Sequence, residues 1–195
     1  MEDFKVYKAT IWDVPRICSF LKVLKEELLD PNLQITDSKS YAHVFGELLR
    51  ITLFNSLQKK IIGYSSQIII ADSSKKVVGI AYVGVRNKIA TLHGLFVSKN
   101  NRNKGVGTKL LLDILLFCKR QNVRVVQLYV SAHNEAAISL YQKMGFSVAP
   151  YEVANVDYEK LRTRMEIVFE VSFGARVVEK NLLKLASLKL LSETA

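Results

Sequence analysis

The sequence predicts one α/β domain (α+β type, three layers) in which a mixed, mostly antiparallel β-sheet is flanked by helices. Strand-like runs fill the middle of the chain, whereas apolar residues at helical spacing precede and follow them. The 195 residues, 49% of them hydrophobic, suffice for one well-formed core. No repeat, low-complexity tract or linker composition divides the chain.

The N-terminal part of the chain has the pattern of a strand followed by two helices. Phe4–Thr10 is strand-like, and a helix is predicted to begin at Val14 and to end before Asp30. The apolar stripe of this helix consists of Ile17, Phe20, Leu21, Leu24 and Leu28. Beyond a polar loop, apolar residues at helical spacing predict a second helix over Tyr41–Leu57.

The rest of the chain alternates between strands and helices. An antiparallel meander of three strands is predicted over Gln67–Ala71, Val77–Val85 and Ile89–Val97. The later elements are a helix over Thr108–Arg120, a strand over Val123–Val130, a helix over Asn134–Met144 ended by Gly145, strands over Ser147–Val153 and Arg164–Val171, and a basic amphipathic helix over Val177–Leu191.

The composition excludes several classes of protein. Two cysteines cannot form a disulfide framework, and with three histidines they show no zinc-ligand spacing, so we expect no metal. No apolar run reaches the roughly 18 residues that a membrane-spanning helix needs. The N-terminal MEDFKVYK lacks the apolar segment of a signal peptide, so we expect a cytoplasmic protein. The net charge of +10 indicates a surface that attracts anions.

The most informative segment is a basic stretch with two glycines, between the third meander strand and the next helix. It contains Arg102, Lys104, Gly105 and Gly107. Glycines let backbone N–H groups approach a ligand, and the first turn of a helix is an anion site. The alternative is a tight turn whose glycines let the helix pack on the sheet. The spacing excludes a Walker loop and the dinucleotide fingerprint.

Positive charge is concentrated in the same region. Seven basic residues and one acidic residue, Asp113, lie between Lys99 and Arg124, so this stretch carries +6 of the total +10. A polyanionic ligand fits this charge, and a solvated basic helix face is the alternative. Nucleic acid is disfavoured as a partner because the basic stretch has no interleaved aromatic residues, as single-strand binders usually have.

Two motifs resemble the signatures of the GNAT superfamily of acyl-CoA-dependent N-acetyltransferases. RNKGVG (Arg102–Gly107) resembles the family's pyrophosphate-binding motif, Gln/Arg-x-x-Gly-x-Gly/Ala. NEAAISLYQKMGF (Asn134–Phe146) is similar to its second signature, Asn-x-x-Ala-x-x-Leu-Tyr-x-x-x-Gly-Phe. Both occur in the family's order with a helix and a strand between them. Together they identify the chain as similar to this family.

The resemblance implies the GNAT fold over residues 1–174, with the sheet splayed between its fourth and fifth strands, followed by a helical extension over residues 175–195. It implies acetyl-CoA as cosubstrate, with the pantetheine arm between Ile89–Val97 and Val123–Val130 and the pyrophosphate on the glycine loop. The residues implied to bind it are Leu95, Phe96, Val97, Arg102, Asn103, Lys104, Gly105, Val106, Gly107, Thr108 and Asn134.

The implied reaction is transfer of the acetyl group to a primary amine. Tyr141 matches the family tyrosine near the thioester sulfur, which implies a general acid for the leaving thiolate. The alternative is a core aromatic, since Ala137, Tyr141 and Met144 form an apolar helical stripe. Asn134 is predicted to cap its helix and, by the resemblance, to contact the pantetheine arm. Backbone N–H groups around Phe96–Val97 are expected to stabilise the oxyanion.

The sequence leaves the identity of the general base undetermined. Many family members have a glutamate early in the strand Ile89–Val97, where this sequence has Thr91. Period-two alternation places Thr91, His93, Leu95 and Val97 on one face. His93 is then a candidate base on that face, with a structural histidine as the alternative. Tyr129 is a second candidate, through a water relay, and direct acceptance of a neutral amine from solvent is the third option.

The acceptor is a primary amine of undetermined kind: a protein N-terminus, a lysine or a small molecule. The region of Tyr151 and Tyr158 looks similar to protein Nα-acetyltransferases, and the strong positive charge disfavours a polycation such as spermine. The missing glutamate makes a catalytically silent CoA-binding or interaction module the rival function. The extension could dock on the sheet, form a homodimer or touch an anionic membrane surface, of which the first two are favoured.

Overall fold

A mixed β-sheet forms the centre of the computed structural model, which describes residues 4–28, 63–131, 134–148 and 166–172. The strands in this part are β1 (Lys5–Lys8), β2 (Ser65–Ser73), β3 (Lys76–Arg86), β4 (Ile89–Val97), β5 (Val125–Ser131), β6 (Ser147–Val148) and β7 (Glu166–Ser172). The helices are α1 (Val14–Leu28), α2 (Val106–Arg120) and α3 (Glu135–Lys143), with short 3₁₀ turns at Ile11–Asp13 and Lys99–Asn101.

The strands lie in the order β1-β2-β3-β4-β5-β7-β6. The predicted meander β2–β3–β4 is confirmed, and β4 and β5 are the parallel neighbours, joined through α2. Two-residue turns connect the meander strands, and their central residues have φ between 50° and 66°. Such turns match the twist of the flanking strands, which fixes the register of the hairpins.

Both faces of the sheet are covered, so the structure has three layers. Helices α2 and α3 cover one face, here the α2 face, where Leu110, Leu111, Ile114 and Leu115 of α2 are fully buried. Helix α1 covers the other, here the α1 face, with the predicted stripe of Ile17, Phe20, Leu21 and Leu24 buried. Strands buried on both sides are accordingly rich in apolar residues.

Most element predictions in the described residues are confirmed within two residues, and one boundary shows a physical cause. Helix α2 begins at Val106, two residues before the predicted Thr108, because Gly105 adopts the left-handed conformation at the N-cap. The predicted helix Tyr41–Leu57, the region of Tyr151 and Tyr158, and the helix Val177–Leu191 lie outside the described residues. No helix in the described part is long and apolar enough to cross a membrane.

Candidate active site

An opening in the sheet between β4 and β5 forms the candidate site. The two strands pair only from Ile89–Val125 to Leu92–Leu128, whereas β5 stays paired with β7 along its full length. Beyond Leu92, β4 diverges from β5, so the predicted splay between the fourth and fifth strands is confirmed. The opening lies between His93–Val97 and Tyr129–Ser131, at the carboxyl ends of both strands.

A β-bulge marks the point where β4 leaves β5. Tyr82 of β3 lies opposite Gly94 and Val83 lies opposite Leu92, so His93 is the extra residue of β4. A bulge bends its strand and increases the local twist. Here it turns β4 away from β5 and so creates the opening.

The bulge also overturns one prediction from the sequence. Thr91, His93, Leu95 and Val97 do not share one face, because the extra residue shifts the alternation by one position. His93 stacks on Tyr82, which belongs to the core on the α1 face, whereas Leu95 and Val97 pack into the core on the α2 face. His93, the candidate proton acceptor, therefore lies on the α1 face, whereas the side chains of Leu95 and Val97 lie on the α2 face.

Backbone groups of two predicted binding residues turn toward the opening. The N–H of Ser98 donates to the carbonyl of Val78 on β3 at 3.0 Å. Alternate residues of an antiparallel strand direct their backbone groups to the same neighbour, so Phe96 also faces β3, and Leu95 and Val97 face the opening. Of the predicted oxyanion donors around Phe96–Val97, the N–H of Val97 therefore faces the opening and that of Phe96 faces β3, and an oxyanion donor here stays a prediction. Arg102 Nε donates to the Val97 carbonyl at 3.1 Å.

The N-terminus of α2 lies where the sequence predicts an anion site. Gly105 has φ +82°, and the first helical hydrogen bond runs from Lys109 N to Gly105 O at 3.1 Å. The N–H groups of the first turn therefore have no acceptor within the helix. Arg102, Asn103 and Lys104 in the preceding loop are exposed. A Cβ built on Gly105 would meet no atom of the described residues within 4 Å, so there is open space beside the start of the helix.

Gly107 holds the start of α2 against the strand and against α3. A Cβ at this residue would lie 3.3 Å from Leu140 Cδ2, 3.6 Å from Leu95 Cδ2 and 3.9 Å from Val97 Cγ2. The helix start therefore packs between β4 and α3. Because Tyr141 follows Leu140, this packing brings the glycine loop and Tyr141 to the same end of the opening.

The second motif builds α3 and its two ends. The side chain of Asn134 accepts from Ala137 N at 3.2 Å, which confirms the predicted cap. After the helix, Phe146 N donates to Tyr141 O at 3.0 Å across Gly145, which has φ +96°. This is a Schellman arrangement, and it brings the Phe146 ring to 5.7 Å from the Tyr141 ring.

Tyr141 lies in the core on the α2 face. Its side chain is 6% exposed and belongs to the same cluster as Leu110, Leu128 and Met144. Burial raises the pKa of the Tyr141 phenol to about 12. The phenol therefore keeps its proton at neutral pH, and the same burial makes it a weaker acid toward a leaving thiolate than an exposed tyrosine.

The α1 face beside the opening is polar and aromatic. Tyr129 is 49% exposed on β5, and Gln127 Nε2 donates to Thr91 Oγ1 across the strands at 3.1 Å. His93 stacks on Tyr82, and the Tyr82 hydroxyl lies 3.1 Å from that of Tyr64. Sequence reasoning missed Tyr64, Tyr82 and Gln127 because strand register brings them to the site from outside both motifs.

Comparison with known proteins identifies the family. The family model of the GNAT acetyltransferase family matches residues 33–146. Among curated proteins, an uncharacterized N-acetyltransferase from Methanocaldococcus jannaschii is 33% identical over 61 residues. The match covers 31% of this chain and spans only about a quarter (27%) of that protein's length.

Solved structures show the same fold at low identity. The PaiA N-acetyltransferase from Thermoplasma acidophilum, in complex with coenzyme A, has a TM-score of 0.63 at 18% identity, covering 88% of this chain and 99% of that one. A GNAT-family acetyltransferase from Staphylococcus aureus Mu50 gives 0.64 at 19%, covering 87% and 99%. The ribosomal-protein-S18-alanine N-acetyltransferase from Escherichia coli gives 0.57 at 18%, covering 87% and 94%. The chain belongs to the GNAT family of acetyltransferases.

Proposed function

We propose that this protein transfers the acetyl group of acetyl-CoA to the primary amine of a protein N-terminus or of a lysine, by direct attack of the amine in a ternary complex. One observation carries the proposal: the N-terminus of α2, whose first-turn N–H groups have no acceptor within the helix, adjoins an opening lined by the backbone of β4. This combination suits a ligand that has phosphates at one end and an amide-containing arm at the other.

The residues present fit the cosubstrate. The open space at Gly105, the donors of the first turn of α2 and the positive side chains of Arg102 and Lys104 suit a pyrophosphate. The backbone of Leu95 and Val97 would hold the pantetheine arm, with Asn134 at the far side of the opening. Bound there, acetyl-CoA would supply the activated acetyl thioester.

Tyr141 and His93 would act from opposite sides of the opening. Tyr141 lies on the α2 face, beside the helices that surround the anion site, and would donate its proton to the leaving thiolate. His93 lies on the α1 face and would accept the proton of the amine, with Tyr129 as the second candidate through water. Of the N–H groups of Leu95 and Val97, which both face the opening, the one not paired with the pantetheine arm would stabilise the oxyanion.

Steady-state kinetics test this proposal. We would measure CoA release with peptides that have a free N-terminus and with N-terminally blocked peptides that contain lysine. Initial-velocity lines that intersect indicate a ternary complex, and parallel lines would contradict direct attack. Acetyl-CoA binding without turnover on any acceptor would favour the catalytically silent module. The sequence feature that favours this alternative is Thr91, at a position where many family members have a glutamate. The cytoplasmic location and a homodimer through residues 175–195 stay predictions, to be tested by cell fractionation and by light scattering.

A further inference from the structure

Three ring side chains converge over one glycine on the α1 face, next to the opening. Tyr64 directly precedes β2, Tyr82 lies on β3, and His93 is the bulge residue of β4; we refer to these three residues as the Gly84 cluster. The hydroxyls of Tyr64 and Tyr82 are 3.1 Å apart. The Tyr82 and His93 rings are stacked, with centroids 5.0 Å apart and planes 25° apart.

Gly84 provides the space in which the cluster forms. A Cβ at this residue would lie 2.3 Å from the Tyr64 hydroxyl oxygen and 3.0 Å from His93 Nε2. Both polar atoms therefore occupy the volume that any other side chain would take. Glycine in the middle of a strand weakens that strand, so its presence in β3 points to a close approach from neighbouring groups.

The cluster is placed to act on the reaction because His93 is the residue at which β4 leaves β5. Tyr82 is only 6% exposed and therefore offers a fixed surface to the imidazole. Among the described side chains of β3 to β5 on this face, Tyr129 on β5 is also titratable, and the exposed Arg86 is charged but lies at the end of β3, opposite Ile89 and away from the bulge. Within the described part of these strands, no carboxylate lies between Ser73 and Val97.

We propose that Tyr64, Tyr82 and Gly84 are positioning residues that hold the His93 imidazole at the opening, oriented to accept a proton from the acceptor amine. Tyr82 fixes the ring plane by stacking, Tyr64 lies beside Nε2, and Gly84 leaves the room that both need. In the proton transfer, the protonated acceptor (R–NH3+) gives one proton to the neutral imidazole, which becomes imidazolium, and the lone pair of the resulting neutral amine is free to attack. This inference rests on the proposed function, in which His93 is the base.

Three substitutions separate positioning from ordinary packing. Tyr82→Phe keeps the stack and removes the hydroxyl contact with Tyr64, whereas Tyr82→Leu removes the stack. Gly84→Ala places a methyl group where the Tyr64 oxygen and Nε2 now lie. Arg86→Ala, on the same strand and face but exposed, is the matched control. Circular dichroism and thermal unfolding show which variants fold. If Gly84→Ala does not fold, Tyr82→Leu and Tyr82→Phe still test the proposal.

Two readouts follow each variant. Long-range ¹H–¹⁵N spectra of histidine-labelled protein report the tautomer and the titration midpoint of each imidazole, with His93→Gln assigning one signal among the three histidines. The pH profiles of kcat and kcat/KM report the reaction. We expect Tyr82→Leu and Gly84→Ala to change the His93 tautomer ratio and to lower kcat about tenfold or more, with the KM for acetyl-CoA within about twofold. Tyr82→Phe should lose less than Tyr82→Leu, and Arg86→Ala should match the wild type.

The two readouts test two separate claims, the positioning of His93 and its role as the base. If folded Tyr82→Leu and Gly84→Ala proteins show the wild-type tautomer ratio and midpoint for His93, the positioning proposal is overturned, whatever happens to turnover. If instead the His93 signal changes in both variants but His93→Gln retains full turnover, the imidazole is positioned but is not the base. That second result contradicts the proposed role of His93 and leaves acetyl transfer itself standing.

Discussion

Replacing Gly105 by valine tests the assignment of the glycine loop as the pyrophosphate site. Gly105 has φ +82° at the N-cap of α2, in the left-handed region that disfavours residues with a side chain. A Cβ there would meet no atom of the described residues within 4 Å. The valine side chain would therefore occupy open space beside the start of α2, next to the loop where we propose that the phosphates bind.

The structure sets the size of two separate effects. Since no neighbour clashes with the new side chain, the loss of stability comes from backbone strain alone, about 1–2 kcal/mol. For a chain of this size that corresponds to a fall in Tm of roughly 2–8 °C. Loss of even one hydrogen bond to a charged phosphate costs about 1.5–3 kcal/mol. The Kd for CoA should therefore rise roughly 10- to 150-fold.

The assay is calorimetric titration of CoA, together with thermal unfolding of the ligand-free proteins. Gly63→Val is the matched control, because Gly63 also has a left-handed φ of +62° and no described atom within 4 Å of its Cβ position, but it precedes β2 at the end of the sheet opposite to the loop. It should show a similar loss of stability and an unchanged Kd for CoA. If Gly105→Val binds CoA as tightly as the wild type does, the loop is not the pyrophosphate site. Its glycines then only form a tight turn that lets the helix pack on the sheet.

Three further predictions concern the acid, the base and stability. Tyr141→Phe should lower kcat about tenfold to hundredfold, since it keeps the buried ring and removes the proton, and CoA affinity should stay within about twofold; unchanged kcat in a single-turnover assay would return Tyr141 to a purely structural role. His93→Gln should lower turnover about tenfold or more at pH 7 and far less at pH 9, where an α-amine is already neutral; a loss of equal size at both pH values would argue against a base. Burial by itself raises the pKa of Asp13, but hydrogen bonds from Thr10 and Tyr7 and the charge of Arg16 outweigh it, so the pKa is lowered. The carboxylate therefore stabilises the fold above its unfolded pKa of about 3.9, and this stabilisation is lost as the pH falls through the folded value. Asp13→Asn should cost about 1.5–3 kcal/mol in urea unfolding at pH 7 and less at pH 3; equal losses would contradict the ion pair.

The sequence was sufficient for the elements whose signals are local. Period-two alternation placed β4 at Ile89–Val97, and the polar residue before an apolar stripe placed the Asn134 cap. The start of α2 was predicted two residues too late. Its N-cap is Gly105, which acts through its backbone conformation and has no side chain that could mark the helix start in the sequence. These features depend on a few neighbouring residues, and the errors are correspondingly small.

The site depended on non-local structure and was predicted only in part. The bulge at His93 adds one residue to a run that otherwise alternates normally, so nothing in the sequence reports where the face changes. The approach of Tyr64 to His93 depends on the register of three strands and on the missing side chain of Gly84. A glycine in the middle of a strand-like run was the one available signal of such a close approach.

The most direct test of the account is the identity of the product. The protein would be incubated with acetyl-CoA that carries a deuterated acetyl group and with a panel of peptides, free amino acids and polyamines, and the products read by mass spectrometry. We predict that the labelled acetyl group appears on the nitrogen of a peptide amine, with one CoA released per acetyl transferred and many turnovers per protein molecule. Tight CoA binding without labelled product on any amine would contradict the assignment of this protein as an acetyltransferase.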